Sequence, residues 1–174
     1  MKPKIYKTRL DANRYPIIVA ENGRYVCDGR KPFTDPDLVY DFCTRELEMD
    51  KMTEEYLYCF CLNAQGRLTG FFEVSHGTVD TSVFSPREIF QKLLLLNAVC
   101  FVIAHNHPSG DPTPSQHDFS ATTKIKKGAE ILDLAFFDHL VIGDGSYVSM
   151  KEKRKGRTYP SFSPLIWIQF TMSR

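Results

Sequence analysis

The chain has 174 residues, of which 43% are hydrophobic and 25% are charged. This composition fits one domain with a buried core and excludes disorder, collagen and coiled coil. Lysine and arginine number 22 against 21 acidic residues, so the formal net charge of +1 does not indicate a dedicated nucleic-acid binder. No apolar run is long enough to cross a membrane, and the N-terminal segment lacks the apolar stretch of a signal peptide, so we expect no membrane partner.

The five cysteines predict a reduced, cytoplasmic protein, because their number is odd and no two have C-x-x-C spacing. Cys59 and Cys61 are two residues apart in an apolar run and would share one face of a strand. The pair could ligate a metal. Core packing is the favoured interpretation, since free cysteine is commonly buried.

The first structural elements are predicted between residues 15 and 50. YPIIVAENGRYVCDG (15–29) predicts a hairpin, with Asn22-Gly23 as the turn between two short apolar runs. Residues 35–50 predict a helix, which Thr34 or Asp35 would cap at its N-terminus.

The remaining pattern alternates strands and helices. Ser85 and Glu88 have capping-box spacing, which predicts a helix beginning there. The expected elements are strands at 56–63, 68–75 and 100–107, helices at 85–98 and 115–134, and a closing hairpin around Asp144-Gly145. This order predicts an α/β fold, a mixed sheet with helices on its faces.

The most informative stretch is HNHPSGDPTPSQHD (105–118). His105 and His107 alternate along a strand, so both side chains point to the same face where the strand ends. Asp118 lies in the first turn of the next helix, on the stripe shared with Ile125 and Ala129 that faces the core. A carboxylate on that face is costly unless it is paired or bound to a metal.

Two imidazoles and a carboxylate form a three-ligand set typical of catalytic zinc, with a fourth position open to water. Each residue also has a structural interpretation. Ser115 and Asp118 fit a capping box, His105 fits a satisfied strand-end histidine, and His107 fits a surface loop. Metal binding is favoured because the three side chains should meet at one place. The same donors would also accept Mn, Co or Fe.

The spacing His105-x-His107-Pro108, six residues, Ser115, two residues and Asp118 resembles the motif of the JAMM (MPN-plus) metalloproteases. Its flanks resemble the RadC family, the bacterial branch of that fold, over about residues 52–150. The flanking stretches are GTVDTSVFSPREIF (77–90), LNAVCFVIAHNHPSGDPTPSQHD (96–118) and FDHLVIGDGSYVS (137–149). The resemblance implies a JAMM/MPN-type, cytidine-deaminase-like architecture of three layers.

The resemblance also implies roles for individual residues. His105, His107 and Asp118 would bind Zn²⁺, and Ser115 would support the oxyanion of the tetrahedral intermediate. Glu55 matches the general acid/base of the family, with its neighbour Glu54 as the competing choice. The implied function is a zinc-dependent hydrolase, a metallopeptidase that cleaves a peptide or isopeptide bond in a peptide or protein substrate.

Asp138 and His139 also belong to the RadC pattern. They have two interpretations: a buried hydrogen-bonding pair, or residues that orient the metal ligands through hydrogen bonds.

The chain departs from the RadC family at both ends. Many RadC-like proteins carry a helix-hairpin-helix region associated with DNA contact, and residues 1–50 do not resemble one. We interpret residues 1–50 as a hairpin and helix extension, 51–150 as the RadC-like domain, and 151–174 as a basic linker and aromatic tail. The aromatic tail leaves self-association into a homo-oligomer open.

Two other functions compete with the hydrolase. In the first, a DNA-associated repair accessory or nuclease, Lys124, Lys126, Lys127 and the basic run 151–157 would contact phosphate. A solvated charged face is the favoured interpretation of these lysines, given the near-zero net charge. In the second, a catalytically silent interaction module, the ligands would have no role, and their intact set argues against it.

Overall fold

The computed structural model describes residues 2–23, 25–27, 31–77, 85–151 and 154–155. Within them, eight strands form one sheet. The strands are β1 (Lys4–Leu10), β2 (Pro16–Asn22), β3 (Glu55–Leu62), β4 (Leu68–Gly77), β5 (Cys100–Asn106), β6 (Ala135–Ile142), β7 (Tyr147–Ser149) and β8 (Arg154–Lys155). The helices are α1 (Pro36–Arg45), α2 (Pro86–Leu95) and α3 (Gln116–Ile131), with a short 3-10 helix at Met49–Lys51.

The strand order across the sheet is β2-β1-β4-β3-β5-β6-β7-β8. Two neighbouring pairs, β1 with β4 and β5 with β6, run parallel, and the other pairs run antiparallel. This confirms the predicted mixed sheet. Because β3 is antiparallel to β5, the first residue of β3 lies near the carboxyl end of β5.

The centre of the sheet is buried on both faces, which explains its nearly continuous apolar strands. Alternate residues of β3 enter two separate clusters. Tyr58, Phe60 and Leu62 pack with α1 on one face, whereas Leu57, Cys59 and Cys61 pack with α2 and α3 on the other. The three layers of the predicted architecture are therefore present: helix, sheet and helices.

The helix boundaries follow their capping residues. Asp35 caps α1, accepting a hydrogen bond from the backbone N–H of Asp37, and Pro36 is the first helical residue. The helix ends at Arg45, and the rest of the predicted helical segment is partly the 3-10 turn. The helix predicted at 115–134 spans Gln116–Ile131.

The capping box predicted for α2 is wrong. Ser85 occupies the N-cap position, but its side chain makes no capping hydrogen bond. The backbone N–H of Glu88 instead donates to the carbonyl of Ser85. The helix begins at Pro86, whose ring favours the backbone angle of the first turn, and Glu88, the acidic residue of the predicted box, is exposed.

The hairpin predicted at 15–29 is also wrong. β2 pairs along its whole length with β1, which precedes it, and Asn22-Gly23 ends the strand. The turn lies at residues 11–15, where the carboxylate of Asp11 accepts hydrogen bonds from the N–H groups of Asn13 and Tyr15. Residues 25–27 form no strand, and residues 24 and 28–29 lie outside the described residues.

The five cysteines are all free and buried. Cys59 and Cys61 lie in the cluster under α2 and α3, which confirms core packing. Among the described helices, none is both long and apolar enough to cross a membrane. Of the C-terminal tail, residues 152–153 and 156–174 lie outside the described residues.

Candidate metal centre

Three elements bring the predicted ligands together. His105 lies near the end of β5, His107 directly follows that strand, and Asp118 lies in the first turn of α3. Nε2 of His105 is 3.0 Å from Nε2 of His107 and 3.3 Å from Oδ1 of Asp118. The candidate ligand atoms all lie within 4.8 Å of one another. Ligand atoms of a tetrahedral zinc site are separated by about 3.3 Å, so the spacing fits the metal.

The hydrogen-bond partner of His107 determines which of its nitrogens is free. Nδ1 of His107 is 2.7 Å from the carbonyl oxygen of Asp111. A carbonyl only accepts hydrogen bonds, so Nδ1 carries the proton and donates. Nε2 of neutral His107 therefore presents a lone pair toward His105 and Asp118.

A longer chain of hydrogen bonds makes the same assignment for His105. The hydroxyl of Thr122 donates to the backbone carbonyl of Asp118, at 2.6 Å. Because the single hydrogen of that hydroxyl is directed at Asp118, we assign the proton of His139 to Nδ1, which lies 2.6 Å from the hydroxyl oxygen and donates to it. Nε2 of neutral His139 then accepts from Nδ1 of His105, at 2.7 Å. Nε2 of His105 is left with a lone pair.

Three acceptors thus converge with no hydrogen of their own to share: Nε2 of His105, Nε2 of His107 and a carboxylate oxygen of Asp118. Side by side in a buried site, such acceptors repel one another unless a proton or cation lies between them. This arrangement fits a divalent metal, because metal-bound histidines characteristically donate a hydrogen bond from the other ring nitrogen to a fixed acceptor.

Asp118 directs one oxygen at the helix cap and the other at the candidate metal centre. Its Oδ2 accepts hydrogen bonds from the backbone N–H and the hydroxyl of Ser115, both at 2.7 Å. The hydroxyl oxygen of Ser115 accepts from the N–H of Asp118, which completes a capping box. The capping interpretation and the ligand geometry are therefore compatible, since Oδ1 remains directed at His105.

Electrostatics favour the protonation states that a metal needs. Burial lowers the pKa of His105 to about 4, so its imidazole is neutral near pH 7. Burial also lowers the pKa of His139, well below its usual range. Burial would raise the pKa of Asp118, but the proximity of His107 and His105 and the hydrogen bonds from Ser115 hold it well below its usual range. The ligand carboxylate is therefore ionised.

His107 is the ligand at which a proton competes with a metal. The carboxylate of Asp118, 3.8 Å from Nε2, stabilises the protonated ring and raises its pKa, and the carbonyl of Asp111 and the charge of Glu55 act in the same direction. Burial opposes this shift. The carboxylate therefore attracts positive charge at this position, whether it arrives as a proton or as a metal ion.

Glu55 and Glu54 differ in their surroundings. Glu55, the first residue of β3, is half-buried, and the charges of His107 and Asp118 reach it. Its pKa is raised by burial, lowered by His107 and raised by Asp118, with a net upward shift. Glu54 is exposed, and its backbone carbonyl accepts from Asn106. Glu55 is therefore close enough to His107 and Asp118 to be influenced by their charges.

Asp138 and His139 occupy different positions, although they are adjacent in β6 and both buried. His139 contacts the ligand His105 directly. The carboxylate of Asp138 accepts from the N–H of His139, the N–H of Lys151 and the hydroxyl of Ser149. Asp138 thus ties β6 to β7 and to Lys151, and it fixes the backbone of His139.

Two residues of the site, Thr122 and Asn106, escaped the sequence analysis. Thr122 is one helical turn after Asp118 and so lies on the same side of α3, a signal that was available. Asn106 is fully buried at the end of a strand whose first five residues are apolar. A buried amide in such a run requires hydrogen-bond partners, and this too was a usable signal.

A mixed sheet with helices on both faces, carrying a His-His-Asp donor set beside a glutamate, defines a candidate metal-binding α/β domain. The family model that matches the chain is the RadC-like JAB domain, over residues 33–156. The chain therefore belongs to the RadC-like JAB domain family.

Relatives named "UPF0758 protein" occur in several bacteria. The protein of Pelobacter propionicus is 37% identical over 70% of this chain and 52% of its own length. The protein of Clostridium beijerinckii is 41% identical over 61% of this chain and 46% of its own length. The protein of Carboxydothermus hydrogenoformans is 36% identical over 82% of this chain and 59% of its own length. The chain spans about half the length of these curated relatives.

Proposed function

We propose that this chain is a zinc-dependent hydrolase that cleaves a peptide or isopeptide bond. The observation that supports the proposal most is the convergence of three proton-free acceptors, from His105, His107 and Asp118, beside the half-buried Glu55. Membership of the RadC-like JAB domain family agrees with a hydrolase of the JAMM type.

A zinc ion on the three ligands would lower the pKa of a water molecule and polarise the scissile carbonyl. Glu55 would accept a proton from the attacking water and deliver it to the leaving nitrogen as the carbon–nitrogen bond breaks. The raised pKa of Glu55 suits both the uptake of the proton from water and its delivery to the leaving nitrogen. A carboxylate with a pKa closer to neutral pH is a stronger base and can still release the proton.

The main role of Ser115 in this proposal would be to orient the candidate ligand Asp118. Its single hydroxyl hydrogen is directed at Oδ2 of Asp118, which orients the carboxylate toward the metal position. Donation to an oxyanion, as the family resemblance implies, remains a prediction, and it requires that hydrogen to turn away from Asp118.

The test uses the zinc-loaded protein and a library of peptides from a digested proteome, with new amino termini read by mass spectrometry. The wild-type protein and Glu54→Gln should generate new termini. Glu55→Gln and His107→Ala should not, with rates lower by about 100-fold or more. Glu54→Gln is the matched control, because it removes a neighbouring carboxylate that is exposed.

Zinc content separates the two inactive variants. Glu55→Gln should retain one zinc ion per chain, whereas His107→Ala should lose it. Cleavage by Glu55→Gln at the wild-type rate would show that Glu55 is not the base. If the zinc-loaded wild-type protein produced no new termini, cleavage of peptide bonds would be wrong and only the isopeptide part of the proposal would stand.

A further inference from the structure

The residue between the two ligand histidines contacts both peptide groups that flank Glu55. Asn106 is 1% exposed. Its Oδ1 accepts a hydrogen bond from the backbone N–H of Tyr56, at 2.8 Å, and its Nδ2 donates to the backbone carbonyl of Glu54, at 2.9 Å. One side chain thus holds the backbone on each side of the glutamate.

These two hydrogen bonds lie where β5 stops pairing with β3, whose other edge stays paired with β4 as far as Glu55. The pairing of β3 with β5 ends at Leu57 and His105. The next backbone N–H after β5, that of His107, donates to Ile142 on the other side. An asparagine side chain presents a carbonyl and an N–H group in one plane, as a peptide does, so Asn106 extends the ladder by one step.

We propose that Asn106 is a positioning residue for Glu55, a role that rests on the proposed hydrolase function. His105 and His107 direct their rings to one face of β5, and Asn106 between them directs its amide to β3. Three consecutive residues therefore set the distance between the candidate ligands and the candidate base. A displacement of the base by about 1 Å is enough to reduce a reaction rate strongly.

The amide hydrogen bond is tested first, without metal or substrate, by hydrogen exchange at the N–H of Tyr56. Asn106→Ala should speed this exchange by about tenfold or more. Asn106→Asp retains an acceptor for the N–H and should leave it protected. Asn63→Ala is the matched control, because Asn63 also accepts two backbone N–H groups, those of Gln65 and Arg67, but in the turn after β3.

The effect on Glu55 is tested with Co²⁺ as the metal, by following its visible spectrum against pH. Asn106→Ala should bind Co²⁺ within about threefold of wild type, since all three ligands remain. The pH at which the Co²⁺ spectrum is half changed should shift in Asn106→Ala, in the direction of the value found for Glu55→Gln. In Asn63→Ala this midpoint should equal that of the wild-type protein. If a substrate is found, kcat should fall with KM unchanged.

The outcomes separate the two proposals. A wild-type midpoint in Asn106→Ala, together with fast exchange at Tyr56, would overturn the positioning role and leave the hydrolase proposal standing. Unchanged exchange at Tyr56 would also overturn the positioning role. Failure of the wild-type protein to bind Co²⁺ would overturn the hydrolase proposal and the positioning role that rests on it.

Discussion

Nδ1 of His105 lies 2.7 Å from Nε2 of His139, so a second buried imidazole receives the proton of a candidate ligand. Burial keeps both rings neutral by lowering their pKa values. A neutral imidazole can accept only if its other nitrogen donates, and for His139 that nitrogen faces the hydroxyl of Thr122. The orientation of the ligand thus depends on a chain that ends at the backbone of Asp118.

Removal of this support should weaken metal binding. We expect His139→Ala to raise the dissociation constant for zinc by about 10- to 100-fold, because the imidazole of His105 loses the partner that sets its tautomer. Competition with a chromophoric chelator measures the constant. An unchanged constant would show that the contact between the two rings is structural only.

Two neighbouring threonines on α3 provide the control for that experiment. Thr122→Val removes the hydroxyl that receives the proton of His139 and should weaken zinc binding in the same direction, by a smaller factor. Thr123 also donates to a backbone carbonyl one turn before it, but it is exposed. Thr123→Val should therefore bind zinc as the wild-type protein does.

Zinc binding should weaken as the pH falls, with His107 as the controlling group. The nearby carboxylate of Asp118 raises its pKa above 6.5, and a protonated Nε2 cannot bind a metal. Below that raised pKa, the apparent dissociation constant should increase by about tenfold per pH unit, and above it the constant should level off. His105 adds nothing to this dependence near neutral pH, since its pKa is about 4. Calorimetric titration at several pH values measures the dependence, and a constant that is flat below pH 6.5 would contradict it.

Gly143→Ala should disturb the ligand His107 from a distance. A methyl group at this position would overlap the carbonyl oxygen of Gly110 and the ring of Pro112. These two residues flank Asp111, whose carbonyl holds Nδ1 of His107. We expect zinc affinity to fall by about tenfold.

The control for the glycine substitution is Gly77→Ala, whose methyl group would meet nothing within 4 Å. It should bind zinc normally. Equal zinc affinity in the two variants, measured by the same chelator competition, would show that the loop at residues 107–112 adjusts without moving the ligand.

Ser115→Ala should destabilise the metal-free protein by about 1 kcal/mol, because the cap of α3 loses its side-chain hydrogen bonds. Ser85→Ala is the matched control, since Ser85 occupies the same position of α2 without a side-chain cap and should cost far less. Urea unfolding of the two variants measures the difference. Equal losses of stability would mean that the capping box contributes nothing to α3.

The two serines also show where prediction from sequence succeeds and where it fails. Both have capping-box spacing, and only Ser115 forms the box. Its partner Asp118 is buried and held against the histidines, whereas Glu88, the corresponding residue of α2, is exposed. The spacing is the same, and the surroundings of the acidic residue decide whether the box forms.

The prediction of a hairpin at residues 15–29 was also wrong because a local signal did not decide the structure. Asn22-Gly23 is a good turn pair, but the carboxylate of Asp11 organises an earlier turn, and β1 has an additional partner in β4. Pairing of β1 with both β2 and β4 satisfies more backbone groups than an isolated hairpin after residue 22 would. The pairing of strands in the sheet thus decides which of the two turn signals, Asp11 or Asn22-Gly23, forms the hairpin.

The sequence by itself determined the candidate ligands and most of the strands and helices. His105, His107 and Asp118 lie within 14 residues of one another, so strand alternation and a helix cap are enough to bring them together. The contacts of His139 with His105 and of Asn106 with residues 54 and 56 join positions 34 to 52 residues apart. Only the tertiary structure decided these contacts, because the register of β3 and β6 against β5 sets which distant side chains meet.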